Sequence, residues 1–398
     1  VGIKWYNPSM KKEYTILSID TSCDETSVSV TKGFTVLSNL LPSQMEYHRE
    51  FGGVVPSLAK LAHQERIDNV VEKSMKKAKV TFENFDAFAV TYGPGLSIAL
   101  EVGVKKAKEL SLRHSKPLII VNHMEGHFLS SLVQRNSGNL NTSQILKEIT
   151  FPILGFLISG GHTELVISES FGTYKKIGET VDDSCGEAYD KCGRMLGLGY
   201  PAGPIITKFA KENRKYITIE LIRKNQSTLI KTLNKKSNTV YLLPVPMVNS
   251  NDLNFSFSGL KTAFNQLIVS IQKENFKNGF DSSLSKEQIY DLCSAFEAAA
   301  LEQLAFKMKR AVKNYKPNEV WLGGGVVASP GLRSYLKKNL SKDIKLRYPY
   351  SSRLTGDNAA MIGVSAYLKL LRNEFNHNPS QGIYFKDLDK IDRDPNLS

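Results

Sequence analysis

The chain has 398 residues, 41% hydrophobic and 23% charged, the make-up of a folded globular protein with room for two ordinary domains. No apolar run reaches about eighteen residues, which excludes a membrane-spanning helix, and no membrane partner is expected. The net charge of +13 favours an anionic partner, nucleic acid first, although a basic compartment such as the mitochondrial matrix, or solubilising lysines, would produce the same excess.

Read in chain order, residues 1–13 (VGIKWYNPSMKKE) are basic and aromatic but too short for a targeting signal, and the start at Val1 is compatible with removal of an upstream segment. YTILSIDTSCDETSVSVTKG predicts a β-hairpin with an acidic turn. Residues 56–79 place apolar side chains every three or four positions behind a proline, which predicts a helix. FDAFAVTYGPGLSIALEVGVKKAKEL reads as strand, Gly-Pro-Gly turn and helix, and KPLIIVNHMEGHFLSSLV as strand then helix. Residues 136–148 are polar and read as a loop joining two halves.

FPILGFLISGGHTELVISES repeats the plan of the first hairpin about one domain length later, so each hairpin is expected to open a domain. Residues 222–240 are dense in Lys and Asn, either a solvated excursion or a phosphate-contacting patch. VWLGGGVVASPGLRSYL is a strand ending in three glycines before a helix, where free backbone N–H groups suit an anion. RLTGDNAAMIGVSAYLKL is a tight turn leading into an apolar helix. The whole is a mixed α/β chain, divided at residues 1–148 and 149–398, with the last helices packing back on the first domain. Four scattered cysteines, Cys23, Cys185, Cys192 and Cys293, show neither zinc-ribbon spacing nor a disulfide framework and are expected to be reduced thiols.

The histidines of NHMEGH, His123 and His127, stand four apart, so on a helix both can reach one metal ion. In the zinc-peptidase pattern a glutamate follows the first histidine directly. Here Met124 stands there and Glu125 comes next, turned about 100° round the helix axis. The spacing supports a metal and disfavours peptidase chemistry. Asp357, in a Thr-Gly-Asp-Asn turn, offers a third ligand, or else serves as a helix N-cap. Two histidines and a carboxylate leave coordination positions open, as a catalytic metal requires.

SIDTSCDETSVSV, FGGVVPSLAKLAH, TYGPGL, NHMEGH, ISGGHTELV, DDSCGEAYDKCGRMLGLGYPAGP, FSFSGLKTAF and TGDNAAM occur in that order. Together they resemble the tRNA threonylcarbamoyladenosine transferases, of bacterial, archaeal and organellar kind, over nearly the whole chain. That family belongs with actin, the heat-shock chaperone ATPases and the sugar kinases, so the resemblance implies two related α/β domains clamping a nucleotide.

It further implies transfer of a threonylcarbamoyl group from threonylcarbamoyl-AMP, made by a separate synthase, to the adenosine beside the anticodon of tRNAs reading ANN codons. His123, His127 and Asp357 would hold one divalent ion per subunit (Fe, Zn, Mn or Mg). Ile158, Ser159, Gly160, Gly161 and His162 would line the adenylate site, with Asp190 and Gly203 contacting the nucleoside. Asp24 and Glu25 on the first turn would face the cleft, where either could guide the attacking amine; no general base is assigned. Ser329 stands where the family has Asn, and Ala202 where Gly is common. Arg223, Lys224, Lys231, Lys235, Lys236 and Lys261 are candidate phosphate contacts for tRNA. The high charge and Asn/Lys-rich loops resemble the mitochondrial member, which implies a homodimer in the matrix. Two competing readings are a metal-dependent glycoprotein endopeptidase and a non-catalytic ATP-binding scaffold.

Overall fold

The computed structural model describes residues 13–42, 55–136, 141–224, 227–372 and 391–396. The basic start at 1–12, residues 51–54 of the FGGVVPSLAKLAH motif and the Lys224 side chain lie outside the described residues. In chain order the elements are β1 (Thr15–Asp20), β2 (Ser27–Lys32), β3 (Thr35–Leu40), α1 (Pro56–Ala78), β4 (Ala87–Gly93), α2 (Ser97–His114), β5 (Leu118–Asn122), α3 (His123–Leu129), β6 (Gln134–Arg135) and α4 (Thr142–Lys147). Then come β7 (Ile153–Ile158), β8 (Thr163–Ser170), β9 (Thr173–Glu179), α5 (Cys185–Met195), α6 (Gly203–Asn213), β10 (Ile217–Lys224), β11 (Ser227–Asn234) and β12 (Val240–Pro244). The chain closes with α7 (Ser258–Lys277), α8 (Lys286–Tyr315), β13 (Glu319–Gly323), α9 (Pro330–Lys338), β14 (Lys345–Arg347) and α10 (Ala359–Leu371).

Two sheets share one plan. The first runs β5-β4-β1-β2-β3-β6 and the second β14-β13-β7-β8-β9. In each, a hairpin supplies the antiparallel half: β1 with β2, and β7 with β8. A later strand joins the first hairpin strand in parallel: β4 on β1, and β13 on β7. The central strands are apolar and buried on both faces, as parallel strands under helices must be. This repeated order is the duplicated α/β plan expected from the two hairpins.

Helix α10 carries the link between the halves. Its sequence AAMIGVSAYLKLL is apolar all round, and it packs on β1, β2 and α3, so the end of the chain returns to the first sheet. Close approach is set by small residues. A Cβ on Gly363 would lie 2.6 Å from Thr31 Oγ1, and one on Gly126 of α3 would lie 3.0 Å from Ile362 Cδ1. On its other side α3 meets the second sheet, where a Cβ on Gly323 would lie 2.3 Å from the His127 carbonyl oxygen. Helix α3 is therefore wedged between both sheets.

Two expectations are corrected. Residues 136–148 are not simply a loop, because Asn141 and Gln144 form a reciprocal cap that starts α4, whose Ile145 and Leu146 are buried. Residues 222–240 are more than a solvated excursion: 222–224, 227–234 and 240 belong to β10, β11 and β12, a small antiparallel sheet in which the alternate residues Thr228, Ile230, Thr232 and Asn234 of β11 face inward. Lys231 on the outer face and Lys235 and Lys236 in the turn hid that alternation.

Candidate active site and metal centre

The histidines open helix α3. Asn122 ends β5 and caps the helix, its side-chain oxygen accepting from the backbone N–H of Met124 (2.7 Å) and Glu125 (3.2 Å). One helical turn then puts the His123 and His127 rings on the same face, centroids 4.6 Å apart. Asp357 arrives from the turn before α10. The N-cap role open to it is taken by Asn358, which accepts from the Met361 N–H at 3.2 Å, and this leaves the Asp357 carboxylate free to face α3. The start of α10 is pinned to the first hairpin: Ala359 N donates to Ser27 Oγ (2.8 Å) and Ser18 Oγ donates to the Ala359 carbonyl (2.6 Å).

Asp357 Oδ1 lies 3.1 Å from His127 Nε2 and 3.4 Å from His123 Nε2. All three ligand atoms lie within 4.8 Å of one another. Ligands about 2.1 Å from a common ion stand roughly 3.0–3.4 Å apart in octahedral or tetrahedral arrangement, so both histidine–aspartate distances already match a coordination shell. The site also seeks positive charge. Burial opposes protonation of His123, but the carboxylates of Asp357 and Asp20 outweigh it and push its pKa up to about 10. Burial would raise Asp357, yet the two imidazoles hold it well below the usual carboxylate range. Burial pushes His127 down. The buried Nδ1 atoms of both histidines and Oδ2 of Asp20 have no hydrogen-bond partner. A cation among the two Nε2 atoms and Asp357 would replace the proton on His123 in balancing the carboxylate charge, and the donor set fits a divalent metal.

Glu125 points elsewhere. Its carboxylate accepts from the Tyr174 hydroxyl (3.1 Å) and pairs with Lys369 Nζ (3.2 Å). It is tied into the packing of α3 against β9 and α10, as the one-residue shift implied, and is not placed to serve a metal-bound water.

A cavity of about 530 Å³ opens over the cluster. It is lined by Asp24, Ser159, Gly160, Gly161, His162 and Asp190 beside His123 and Asp357. A second cavity of about 380 Å³ continues from it through Gly160 and Asp190 and is walled by Gly203 and Ser329. Most of the expected site residues are thus brought to one groove. In the second hairpin turn, Ser159 N donates to the His162 carbonyl (2.8 Å) and His162 N to Ser159 Oγ (3.0 Å). Space beside Gly160 and Gly161 is open on the groove side. Burial, with the neighbouring His123 and His127, pushes the His162 pKa down to about 4, so its ring is neutral at physiological pH. Gly324 adopts φ +96°, and a Cβ there would lie 2.3 Å from the Ile158 carbonyl, which explains one glycine of the triplet.

Some residues sit differently from expectation. The Ile158 side chain is fully buried in the second core, so only its backbone can serve the site. Glu25 is not among the lining residues; burial, with Asp357, Asp24 and Asp20, pushes its pKa up to about 8. Asp190 Oδ1 accepts from Ala202 N (2.7 Å) and Gly203 N (3.4 Å), so it holds the start of α6 rather than making a surface salt bridge. Ser329 caps α9 through Leu332 N (3.2 Å) while lining the second cavity. Among the tRNA candidates, Lys261 pairs with Asp183, Lys231 pairs with Glu220, and Lys236 lies over the Tyr216 ring. Cys23 lines the cavity, but burial and Asp24 raise its thiol pKa well above the ordinary value, so it stays protonated.

Sequence reasoning missed Asp20, whose Oδ2 lies 3.7 Å from His123 Nδ1, and the cations Lys191 and Arg194 of the cavity wall. An acid closing an apolar strand was the available signal for Asp20. The two cations sit on the helical face of DDSCGEAYDKCGRM that meets the groove, which sequence alone does not identify.

A family model described as TsaD, tRNA N6-adenosine threonylcarbamoyltransferase, matches residues 35–364. A curated protein of that name from Streptococcus pneumoniae (strain Taiwan19F-14) is 40% identical over 367 residues, covering 92% of this chain and 95% of its own. Another, from Lactococcus lactis subsp. cremoris (strain SK11), is 40% identical over 361 residues, covering 90% and 93%. Among solved structures, T. kodakarensis HypF aligns with a TM-score of 0.53 at 13% identity, covering 93% of this chain and 48% of that one, a likeness of fold alone. The two-domain α/β architecture, the histidine–aspartate cluster and these matches agree: the chain belongs to the tRNA N6-adenosine threonylcarbamoyltransferase family, transferases whose substrate is tRNA.

Proposed function

We propose that the groove binds threonylcarbamoyl-AMP and that the chain transfers its threonylcarbamoyl group to the adenosine beside the anticodon of tRNAs reading ANN codons. The observation that carries this reading is the meeting of His123, His127 and Asp357 within 4.8 Å at the base of a groove walled by Gly160 and Gly161. In the reaction the N6 amine attacks the carbamoyl carbon and the bond from that carbon to the phosphate oxygen breaks. AMP departs with that electron pair, and the amine sheds one proton to solvent. The mixed anhydride already carries a good leaving group, so the protein's task is positioning and charge stabilisation.

Each part of the groove has a task in this scheme. The apolar cavity by Pro201, Gly203 and Val326 takes the adenine and ribose, with Asp190 and Ser329 at its polar edge. Lys191 and Arg194 lie where phosphate or threonyl carboxylate needs a cation. Backbone at Gly160 and Gly161 can approach the carbonyl oxygen closely. His123, His127 and Asp357 would hold one divalent ion, which would supply Lewis acidity to the carbonyl or phosphate oxygens. Neutral His162 orients the reacting group, and Asp24 lines the same cavity.

Supply of the donor falls to a separate synthase that activates threonine, bicarbonate and ATP. We place the chain in the mitochondrial matrix as a homodimer; the +13 charge and the Asn/Lys-rich loops support that reading. Light scattering on the purified protein and imaging of a tagged full-length chain test these two points. The activity itself is tested by incubating metal-loaded protein with tRNA, the synthase, threonine, bicarbonate and ATP, then digesting the tRNA for nucleoside mass spectrometry. Absence of threonylcarbamoyladenosine while the synthase makes its product would sink the reading.

A further inference from the structure

A third cavity, of about 490 Å³, lies on the far side of His162 and shares that residue and Pro94 with the groove over the metal cluster. Nothing assigned so far uses it. Its walls are apolar faces of Met124, Phe128, Leu157 and Val166, with Tyr174 packed edge-on to Phe128 at 5.1 Å. Its polar groups are mostly acceptors. Glu125 is paired with Lys369 and Glu179 with Lys176 (2.7 Å), whereas the side chain of Glu164, opposite Glu179 across the β8–β9 ladder, makes no hydrogen bond or ion pair among the described residues. Burial raises the Glu164 pKa and the charge of Glu179 adds to the rise, while the charge of Lys176, which lines the same cavity, pulls it down.

Transfer needs two substrates in one site, and the two contiguous cavities over Gly160 and Asp190 account for the adenylate alone. We propose that the cavity beyond His162 receives the acceptor adenine of the tRNA, turned out of its loop, with Glu164 accepting a hydrogen bond from the exocyclic amine. The proposal rests on the adenylate occupying the neighbouring groove. Size fits, since a slot of this volume with apolar walls suits a planar base. Position fits as well: the cavity adjoins the proposed adenylate groove at His162 and Pro94, which line both.

Charge chooses between the two candidate occupants. The threonyl arm of the donor carries a carboxylate, which a wall holding Glu125, Glu164 and Glu179 against one lysine, Lys176, disfavours; the cations Arg194 and Lys191, the latter also paired with Asp183 and Glu187, line the other side. A neutral adenine offers N–H donors and matches an acceptor-rich wall. The outer rim is formed by Pro395 and Asn396 of the C-terminal segment, which is laid across the entrance by Asp394 N donating to the Tyr92 carbonyl (2.7 Å) and Gly95 N to the Pro395 carbonyl (3.2 Å). Arg393 Nε adds a hydrogen bond to Ser97 Oγ at 2.9 Å, and Ile391 is buried in the first core.

The test compares anticodon stem-loops bearing adenosine or purine riboside, which lacks the amine, at the acceptor position. Both are measured as competitive inhibitors of tRNA modification by metal-loaded wild type and by Glu164→Leu. Protection of each protein by AMP against thermal unfolding is measured in parallel. Wild type is expected to favour the adenosine loop about tenfold, and Glu164→Leu to lose that preference while keeping its AMP protection and its KM for threonylcarbamoyl-AMP. Retained discrimination, or a rise in the donor KM with tRNA binding unchanged, overturns the acceptor site. Failure of AMP to protect wild type would overturn the adenylate reading and the acceptor site with it.

Discussion

His127 Nε2 stands 3.1 Å from Asp357 Oδ1 across 230 positions of chain, and no local element could bring them together. The contact exists because α10 returns to the first sheet and is locked there by Ser18 and Ser27. Removing the carboxylate should therefore remove metal without removing the fold. For Asp357→Ala we expect metal affinity to fall about 100-fold or more, measured as bound metal after dialysis at fixed free ion. The wild type should lose thermal stability on chelation, because the ion binds only the folded state, and the variant should lose none. A variant that still retains stoichiometric metal would place the ion elsewhere.

Glu125 separates a structural carboxylate from a metal-site base. It is buried, and both its oxygens are engaged, by Tyr174 and Lys369. Glu125→Gln leaves the Lys369 ammonium without its partner, at a cost of about 1–3 kcal/mol. The expected result is a lower melting temperature with metal content unchanged. Loss of the metal without loss of stability would return Glu125 to the metal chemistry.

Glycines around the groove differ in what they protect, and two substitutions tell them apart. A Cβ on Gly161 meets nothing within 4 Å, so the side chain of Gly161→Leu projects into the groove. The fold should hold, while affinity for AMP falls about tenfold or more through loss of space. A Cβ on Gly186 would lie 2.6 Å from the Ser159 carbonyl, so Gly186→Ala should destabilise by about 1–3 kcal/mol. Calorimetry with AMP and thermal melts give both numbers. Equal loss of stability in the two variants would contradict this assignment.

What was legible in the sequence was what local pattern encodes. Both hairpins, α1 and the strand-to-helix junctions carry their own periodicity and turn residues, and the fourfold spacing of His123 and His127 carries its own geometry. Asp357 was named with its metal role and a capping role both open, because a Thr-Gly-Asp-Asn turn serves either; the structure separates them by giving the cap to Asn358. Asp20 was passed over because its neighbour His123 comes from a different strand-to-helix junction. Residues 222–240 misled because Lys231 lies on the outer face of an alternating strand and Lys235 and Lys236 in the turn after it, where charge masks the inward residues. The cavity beyond His162 had no sequence signal, since its lining is scattered over β5, α3, β7, β8 and β9, with between one and three unremarkable side chains from each.

Glu297 gives the chain a pH-dependent stability independent of the metal. It lies on α8 facing α6, and burial pushes its pKa up from 4.5 to about 7, against a hydrogen bond from Thr207 and the charge of Arg214 that pull it down. A raised carboxyl binds more protons in the folded state than in the unfolded one between those two values, so stability falls as pH rises through that window. Below it both states are protonated and the group costs nothing; above it the cost is full, with a ceiling of about 3 kcal/mol. Glu297→Gln keeps the shape and removes the charge. The variant should match wild type in melting temperature near pH 4.5 and exceed it by several degrees at pH 8, with the gap opening between them. Urea melts at the two pH values should show the same divergence in midpoint with an unchanged slope. A constant difference across the range would mean that the Glu297 carboxyl titrates alike in the folded and unfolded chain.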